Sequence, residues 1–193
     1  MTATAGQPYG QLNGYTYLRD SAGNLLTSKG LPIRGPMTVL GNINPRWVGG
    51  WNNDFKFRRF SASILFDFHV GGKIFSTTNM MCDQSGQCAN TLKGREADWN
   101  DPGIVVDGID RTTGEPNTIT VTSEQYFLSL WLIHQQYTYD ATYVKLREAR
   151  IAYDLPDALA SRLYAHAASI AIVGRNLWTH SKIPNIDPDF TYG

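Results

Sequence analysis

Apolar and polar residues alternate along several stretches of the chain, a pattern typical of β-strands with one apolar and one polar face. The clearest stretch is Phe60–Phe75. One face carries Phe60, Ala62, Ile64, Phe66, Phe68 and Val70, and the other carries Ser61, Ser63, Leu65, Asp67 and His69. The pattern predicts a strand over 60–75, joined through a tight connection at 56–59 to a strand over 46–55.

A second alternating stretch covers 142–156 and stops at Pro156. Under strict alternation one face holds Tyr143, Lys145, Arg147, Ala149, Ile151, Tyr153 and Leu155, and the other holds Val144, Leu146, Glu148, Arg150, Ala152 and Asp154. The part of the first face that follows Ala149 is apolar, whereas the second face is charged. We therefore predict a strand over 142–155, a short turn region and a further strand over 168–178.

The segments between these strands are rich in glycine and proline, which are common in turns and loops. We predict a loop over 1–45, with a small hairpin between Tyr15–Arg19 and Leu25–Ser28, and a long loop over 76–141. Short and long connections thus alternate along the chain. An antiparallel meander with short turns at one rim and long loops at the other is the plan of an outer-membrane β-barrel.

A soluble, secreted β-sandwich that acts as a carbohydrate-binding module is the alternative, because its inward faces show the same alternation. A sandwich of this size has about seven short strands at regular spacing. The chain offers four clear strands and one long excursion. Aromatic residues also lie near the strand ends, where membrane barrels carry their aromatic girdles: Trp47, Phe57, Phe60, Tyr153 and Trp178. These features favour the barrel.

Composition narrows the function classes further. The chain has 193 residues, is 42% hydrophobic and has a formal net charge of zero, so charge gives no indication of a nucleic-acid partner. No run of about eighteen apolar residues exists, which excludes a transmembrane helix. The first ten residues lack the basic and apolar regions of a signal peptide. Neither a nucleophile elbow nor a phosphate loop is present, so we predict no enzyme activity.

Two cysteines, Cys82 and Cys88, enclose five residues of the long loop. In an oxidising compartment they could form a small disulfide, and free thiols are the alternative. A metal site is the least favoured interpretation, because no second pair of Cys or His lies nearby. The four histidines share no ligand spacing, so we predict no metal and no cofactor.

Aromatic side chains of the long loop are the main candidates for extracellular recognition. Exposed rings can stack on sugar faces or pack against another protein. Trp99 and Trp131 are the residues that we expect to contact a ligand or an external lid, although packing within the loop is the simpler alternative.

Several motifs resemble the C-terminal barrel region of SusC/RagA-type TonB-linked outer-membrane transporters. They are Tyr143-Val144-Lys145-Leu146-Arg147-Glu148, Tyr153-Asp154-Leu155-Pro156, Gly174-Arg175-Asn176-Leu177-Trp178 and Asp187-Pro188, preceded by Gly41-Asn42-Ile43-Asn44-Pro45 with Trp47, and by Phe60-Ser61 through Gly71-Gly72. Any one motif is weak, but their combination at this spacing is specific. The resemblance covers the chain from about Gly6 onward.

The resemblance implies an all-β fold that forms part of a 22-stranded barrel with a plug in its lumen. It implies import of large nutrients, oligosaccharides or peptides, across the outer membrane of a Gram-negative, Bacteroidetes-type cell. The expected partners are a SusD-like lipoprotein lid, outer-membrane lipid and the TonB–ExbB–ExbD complex, which would act through regions not in this sequence. The plug and the final strand are not in the sequence either, so we expect a C-terminal fragment.

Residues 46–193 would be the partial barrel and 1–45 an extracellular loop. Short turns of such barrels face the periplasm, so 76–141 and 179–193 would also be extracellular. The apolar faces, with Phe66, Phe68, Ile151, Ile170 and Ile172, would then meet lipid. The polar faces would line the lumen, and the lumen-facing residues expected are Asp67, Glu148, Arg150 and Arg175.

Overall fold

The computed structural model describes residues 5–95 and 102–191. In chain order its strands are β1 Gln11–Tyr17, β2 Leu26–Ser28, β3 Leu31–Pro32, β4 Arg34–Asn42, β5 Trp47–Phe57, β6 Phe60–Val70, β7 Lys73–Phe75, β8 Ile104–Val105, β9 Ile109–Asp110, β10 Thr120–Val121, β11 Thr138–Asp140, β12 Tyr143–Asp154 and β13 Ser169–Ser181. The α-helices are α1 Thr77–Gln84, α2 Ser123–Ser129 and α3 Asp157–Arg162. Short 3-10 helices cover Ala89–Leu92, Leu130–Leu132, His134–Tyr137 and Pro188–Thr191.

The chain divides into two compact units. The sheet unit comprises Pro45–Gly71 and Ala141–Lys182, and the mixed unit comprises Met1–Asn44, Gly72–Asp140 and Ile183–Gly193. The sheet unit contains the four long strands and α3. The mixed unit contains the short strands, α1 and α2.

Four long antiparallel strands form the sheet unit, in the spatial order β13-β12-β6-β5. This order follows the chain, so the predicted antiparallel meander is confirmed. The strands pair along almost their whole length, from Trp47 opposite Val70 at one end to Tyr153 opposite Phe60 at the other.

The strand expected over 60–75 is interrupted. It ends at Val70, because Gly71 and Gly72 both have φ +83, a left-handed conformation that stops a strand and that glycine adopts without steric cost. After the two glycines, β7 pairs with β11 in a separate two-stranded sheet of the mixed unit.

The segment 1–45 is more regular than the predicted loop. Gln11–Tyr17 pairs with Arg34–Asn42, whereas only one isolated bridge, between Arg19 and Leu25, joins the two strands of the predicted hairpin. The density of glycine and proline conceals this pairing in the sequence. Two register shifts in the β1–β4 pair further break its alternation.

The mixed unit has a small core assembled from its helices and short strands. Its buried members are Met80, Ile104, Val106, Val121, Phe127, Leu130, Ile133 and Tyr137. The helix α2 begins with a capping box, in which the Thr122 side chain accepts a hydrogen bond from the Gln125 backbone and the Gln125 side chain accepts one from the Thr122 backbone. The described residues of the segment expected to be a long loop over 76–141 are therefore folded around a core.

The sheet unit keeps its apolar face exposed. Ile151 is 63% exposed and Ile172 is 79% exposed, and Trp47, Trp51, Phe55 and Trp178 are also exposed. A β-sandwich would bury such side chains against a second sheet. The exposure of this face contradicts the sandwich alternative.

Candidate functional site

A β-bulge in β12 determines which side chains lie on the polar face of the sheet unit. Leu146 pairs with Phe66 and Glu148 pairs with Leu65, so Arg147 is an extra residue with no opposite partner on β6. Because side-chain direction alternates, one extra residue exchanges the faces of all residues beyond it. Lys145 and Glu148 consequently lie on the same face.

The expectation of strict alternation through 142–155 is wrong for this reason. Tyr143 and Lys145 were predicted to share a face with Ile151, but they pair with His69 and Asp67 on the polar face. Beyond the bulge, Ala149, Ile151 and Tyr153 lie on the apolar face as expected. The bulge thus gathers charge on one face and removes it from the other.

The partner strand β13 is irregular at the same level. Glu148 pairs with Arg175 and Leu146 pairs with Trp178, so Asn176 and Leu177 lie opposite the single residue Arg147. Asn176 adopts φ +50, a left-handed conformation that asparagine tolerates better than most residues. Two of the sequence motifs, 145–148 and 174–178, therefore meet at the place where both strands break register.

The register brings the four residues expected to line the lumen onto one face of the sheet. Glu148 pairs with Arg175, Arg150 lies between Ser63 and Val173, and Asp67 lies two residues from Leu65 on the same face of β6. The Arg175 Nε donates a hydrogen bond of 3.0 Å to Glu148 Oε2. That this face lines a lumen remains a prediction.

Sequence reasoning missed three members of this polar face. Arg147 binds Asp67 through an Nη2–Oδ2 contact of 2.6 Å. Lys145 is only 1% exposed, and its Nζ lies 5.7 Å from the centre of the Tyr143 ring, which in turn stacks on His69 at 5.2 Å. The sequence prediction placed these residues on the wrong face because it did not include the bulge. Strict alternation assigns Tyr143, Lys145 and Arg147 to the apolar side.

The apolar face carries a ladder of aromatic contacts between β5 and β6. Trp51 stacks on Phe66 with ring centroids 5.8 Å apart, and Trp47 lies 5.9 Å from Phe68. Near the opposite end of the sheet, Phe60 and Tyr153 lie 4.7 Å apart. Such pairs stabilise adjacent strands across one face.

A disulfide joins Cys82 at the end of α1 to Cys88 before the following 3-10 helix, with an S–S distance of 2.01 Å. The bridge closes a short loop of the mixed unit. Within the part of the chain that the structure describes, no group of three His, Cys, Asp or Glu residues could hold a metal ion.

Trp99 and Trp131 are the two tryptophans predicted to contact a ligand or a lid. Trp99 lies outside the described residues. Trp131 is half-buried and packs against the core of the mixed unit, so only part of its indole is accessible. Its neighbours Leu128 and Leu132 are exposed.

A buried carboxylate, Asp83, lies near several tyrosines of the mixed unit. It is 5% exposed and accepts a hydrogen bond of 2.9 Å from the Asn90 side chain. Burial raises the pKa of Tyr126 and of Tyr139, and the negative charge of Asp83 raises both further. The pKa of Tyr137 is raised by burial first, and then by the charge of Asp83 and a hydrogen-bonding interaction with its side chain. The charge of Asp83 therefore acts on three neighbouring phenols.

Asp83 also lines an open cavity of about 440 Å³. Its other buried lining residues are Thr91, Ser123 and Phe127. At the rim lie exposed polar side chains, among them Glu124 and Arg95. Sequence reasoning did not find this cavity, because its residues come from segments up to 44 positions apart.

No helix among the described residues has the length and apolar character needed to cross a membrane. No protein-family model matches the chain. A TonB-dependent receptor P3 from Formosa agariphila is 24% identical over 154 residues, which is 80% of this chain and 14% of that receptor.

Solved structures of a RagAB peptide importer show the same fold. The open-open state superposes with a TM-score of 0.59 at 15% identity and covers 95% of this chain and 20% of that chain. The closed-closed state gives a TM-score of 0.56 and covers 93% of this chain and 20% of that chain. These names describe receptors and importers rather than enzymes. The chain therefore has the fold of part of this importer, and it spans 14% of the receptor and 20% of the importer chain that it resembles.

Proposed function

We propose that the chain is part of a TonB-dependent outer-membrane importer of large nutrients. The two-faced sheet is the observation that carries the proposal. Its exposed apolar face suits lipid, and its charged face suits a water-filled lumen, which is the division of faces in membrane barrels. The sequence similarity to a TonB-dependent receptor supports the same function.

In this proposal Asp67, Glu148, Arg150 and Arg175 line the barrel lumen. The ion pairs Arg147–Asp67 and Arg175–Glu148 then lie along the wall. The opposite charges of each pair compensate each other on the wall without a bound substrate. We therefore assign these residues to the wall itself rather than to a substrate site.

The mixed unit would be extracellular and would meet a SusD-like lipoprotein lid. Trp131 and Trp99 are the proposed points of contact with the lid or the nutrient. Energy would come from the TonB–ExbB–ExbD complex, acting on parts of the importer outside this chain. Among possible nutrients we favour peptides, because the solved structures with this fold are described as a peptide importer.

Uptake by living cells tests this function. A strain that lacks the receptor containing this chain should fail to import fluorescent oligopeptides, and restoring the gene should restore import in a TonB-dependent manner. Oligosaccharides of similar mass are the comparison. Import of oligosaccharides alone would contradict the peptide proposal, and unchanged import of both would contradict the transporter proposal.

A further inference from the structure

The cavity around Asp83 has a closed floor and an open rim. The floor consists of the buried side chains of Asp83, Thr91, Ser123 and Phe127. Two of these side chains already make hydrogen bonds within the protein. The Thr91 hydroxyl donates to the Cys88 carbonyl, and the Ser123 hydroxyl donates to the Thr91 carbonyl. The Asp83 carboxylate is the one charged group on this floor.

Asp83 has no cation within ion-pair distance among the residues that the structure describes. Its carboxylate accepts a hydrogen bond from the neutral Asn90 amide, and the neutral Tyr137 phenol interacts with it as well. A buried carboxylate without a positive partner is costly, so a cation that entered the cavity would be strongly favoured there. Asp83 also lies in the last turn of α1, which contains no basic residue and where the helix dipole favours positive charge.

The rim carries one carboxylate and one guanidinium. Glu124, in the first turn of α2, is exposed at the mouth of the cavity. Arg95 is the cationic lining residue, but its guanidinium is held against the cavity wall. Its Nε donates to the Thr91 carbonyl, and its Nη2 donates to the Thr91 hydroxyl and to the Gly86 carbonyl.

The cavity has the dimensions of a small binding site, and the disulfide fixes part of its wall. Gly86 lines the cavity and lies inside the loop closed by Cys82 and Cys88. The wall is therefore held in place before a ligand arrives, which lowers the entropic cost of binding.

We propose that this cavity binds a cationic group of a transported peptide, an ammonium or guanidinium, between Asp83 on the floor and Glu124 at the rim. The inference rests on the proposed peptide import and names the feature of the peptide that the mixed unit selects. Phe127 beneath the site offers an apolar surface for the methylene groups of a lysine or arginine side chain.

The test uses the purified full-length receptor and three capped peptides that differ at one position. That position carries lysine, Nε-acetyl-lysine or norleucine, so the comparison separates charge from length. We expect the acetylated and norleucine peptides to bind about tenfold more weakly than the lysine peptide, equivalent to about 1.4 kcal/mol. Added salt should weaken the binding of the lysine peptide only.

Two variants locate the effect. Glu124→Gln should reduce the preference for lysine several-fold, and Asp83→Asn should abolish it, while the acetylated peptide binds both variants as it binds the parent. Glu115→Gln is the matched control, because Glu115 is an exposed carboxylate of the same unit that does not line the cavity. Cys82–Cys88 disulfide content, measured by mass spectrometry, reports whether each variant is folded.

The cavity assignment and the proposed import function can be contradicted independently of each other. Equal affinity of the parent receptor for the three peptides, or an undiminished lysine preference in folded Asp83→Asn, overturns the cavity assignment even if peptides are imported. Lysine-dependent binding without any TonB-dependent uptake supports the cavity assignment and overturns the proposed import function.

Discussion

The guanidinium of Arg147 donates two hydrogen bonds to one carboxylate oxygen of Asp67, from Nε at 3.1 Å and from Nη2 at 2.6 Å. Arg147 is the extra residue of the bulge in β12, and Asp67 lies on the neighbouring strand β6. The bulge thus places the arginine within reach of its partner. Without it, Arg147 would lie on the face that carries Phe66 and Ile151.

A double-mutant cycle measures what this ion pair contributes. Arg147→Ala, Asp67→Ala and the double variant should give a coupling free energy of unfolding of about 1 kcal/mol, because both side chains are largely shielded from solvent. Urea unfolding of the receptor in detergent provides the measurement. The Arg175–Glu148 pair, whose arginine is mostly exposed, serves as the comparison and should couple more weakly. Equal coupling of the two pairs would contradict the importance of shielding.

Substitutions at two adjacent residues of β13 test which face of the sheet meets lipid. Ile172 is paired with Ile151 on the apolar face, and Val173 is paired with Arg150 on the charged face. We expect Ile172→Arg to destabilise the barrel by about 2–4 kcal/mol, because it places a charge in lipid, and Val173→Arg to cost much less. The amount of folded protein in the outer membrane is the readout. Equal loss from both substitutions would reject the facing assignment.

Removal of the disulfide should loosen the mixed unit. Replacing Cys82 and Cys88 together with serine is expected to destabilise this unit by about 2 kcal/mol, the value for closing a loop of this short length. Limited proteolysis with and without reductant gives the comparison. A parent protein whose intact mass shows two free thiols after purification under oxidising conditions would contradict the bridge.

Alkaline titration tests the influence of Asp83 on its phenol neighbours. The pKa values of Tyr126 and Tyr139 are raised above the ordinary 10.0, first by burial and then by the charge of Asp83. A folded-state pKa above the unfolded value stabilises the fold below pH 10, and this contribution is lost as pH rises through the folded-state values. The mixed unit should therefore unfold on alkaline titration as these phenols ionise.

The substitution Asp83→Asn isolates the carboxylate's share of these shifts. It should let Tyr126 and Tyr139 ionise at lower pH than in the parent, which phenolate absorbance measures directly. Glu115→Gln removes a carboxylate elsewhere in the same unit and should leave both titrations unchanged. Identical titrations of the parent and Asp83→Asn would show that burial alone raises these pKa values.

Alternation, together with the lengths of the connections, was enough to predict the sheet. Phe60–Val70 and the half of β12 after the bulge show strict period-two patterns, and the four-stranded antiparallel meander follows from them. The bulge could not be predicted in this way. One additional residue leaves the local composition unchanged, and its position is visible only when Glu148 is paired with Leu65 across the strands.

The mixed unit was harder to predict for two reasons. Its strands are mostly two or three residues long, which is too short for a periodic signal, and its β1–β4 pair is rich in glycine and broken by register shifts. The cavity around Asp83 depends on packing between segments far apart in the chain. Asp83 alone is an ordinary acidic residue in the sequence, and its burial distinguishes it.

The bulge at Arg147 also determines which face of the sheet each residue of β12 occupies. A loop of the mixed unit can change its length by one residue without turning side chains to another face, because its residues do not alternate between two faces of a sheet. In β12, loss of Arg147 would remove the bulge and leave Tyr143, Lys145 and Ile151 on their present faces, whereas one more residue inserted into the regular pairing would turn Tyr143 and Lys145 toward the apolar side. A single inserted residue in the regular part of β12 should therefore be tolerated poorly, whereas deletion of Arg147 should keep both faces of the strand intact.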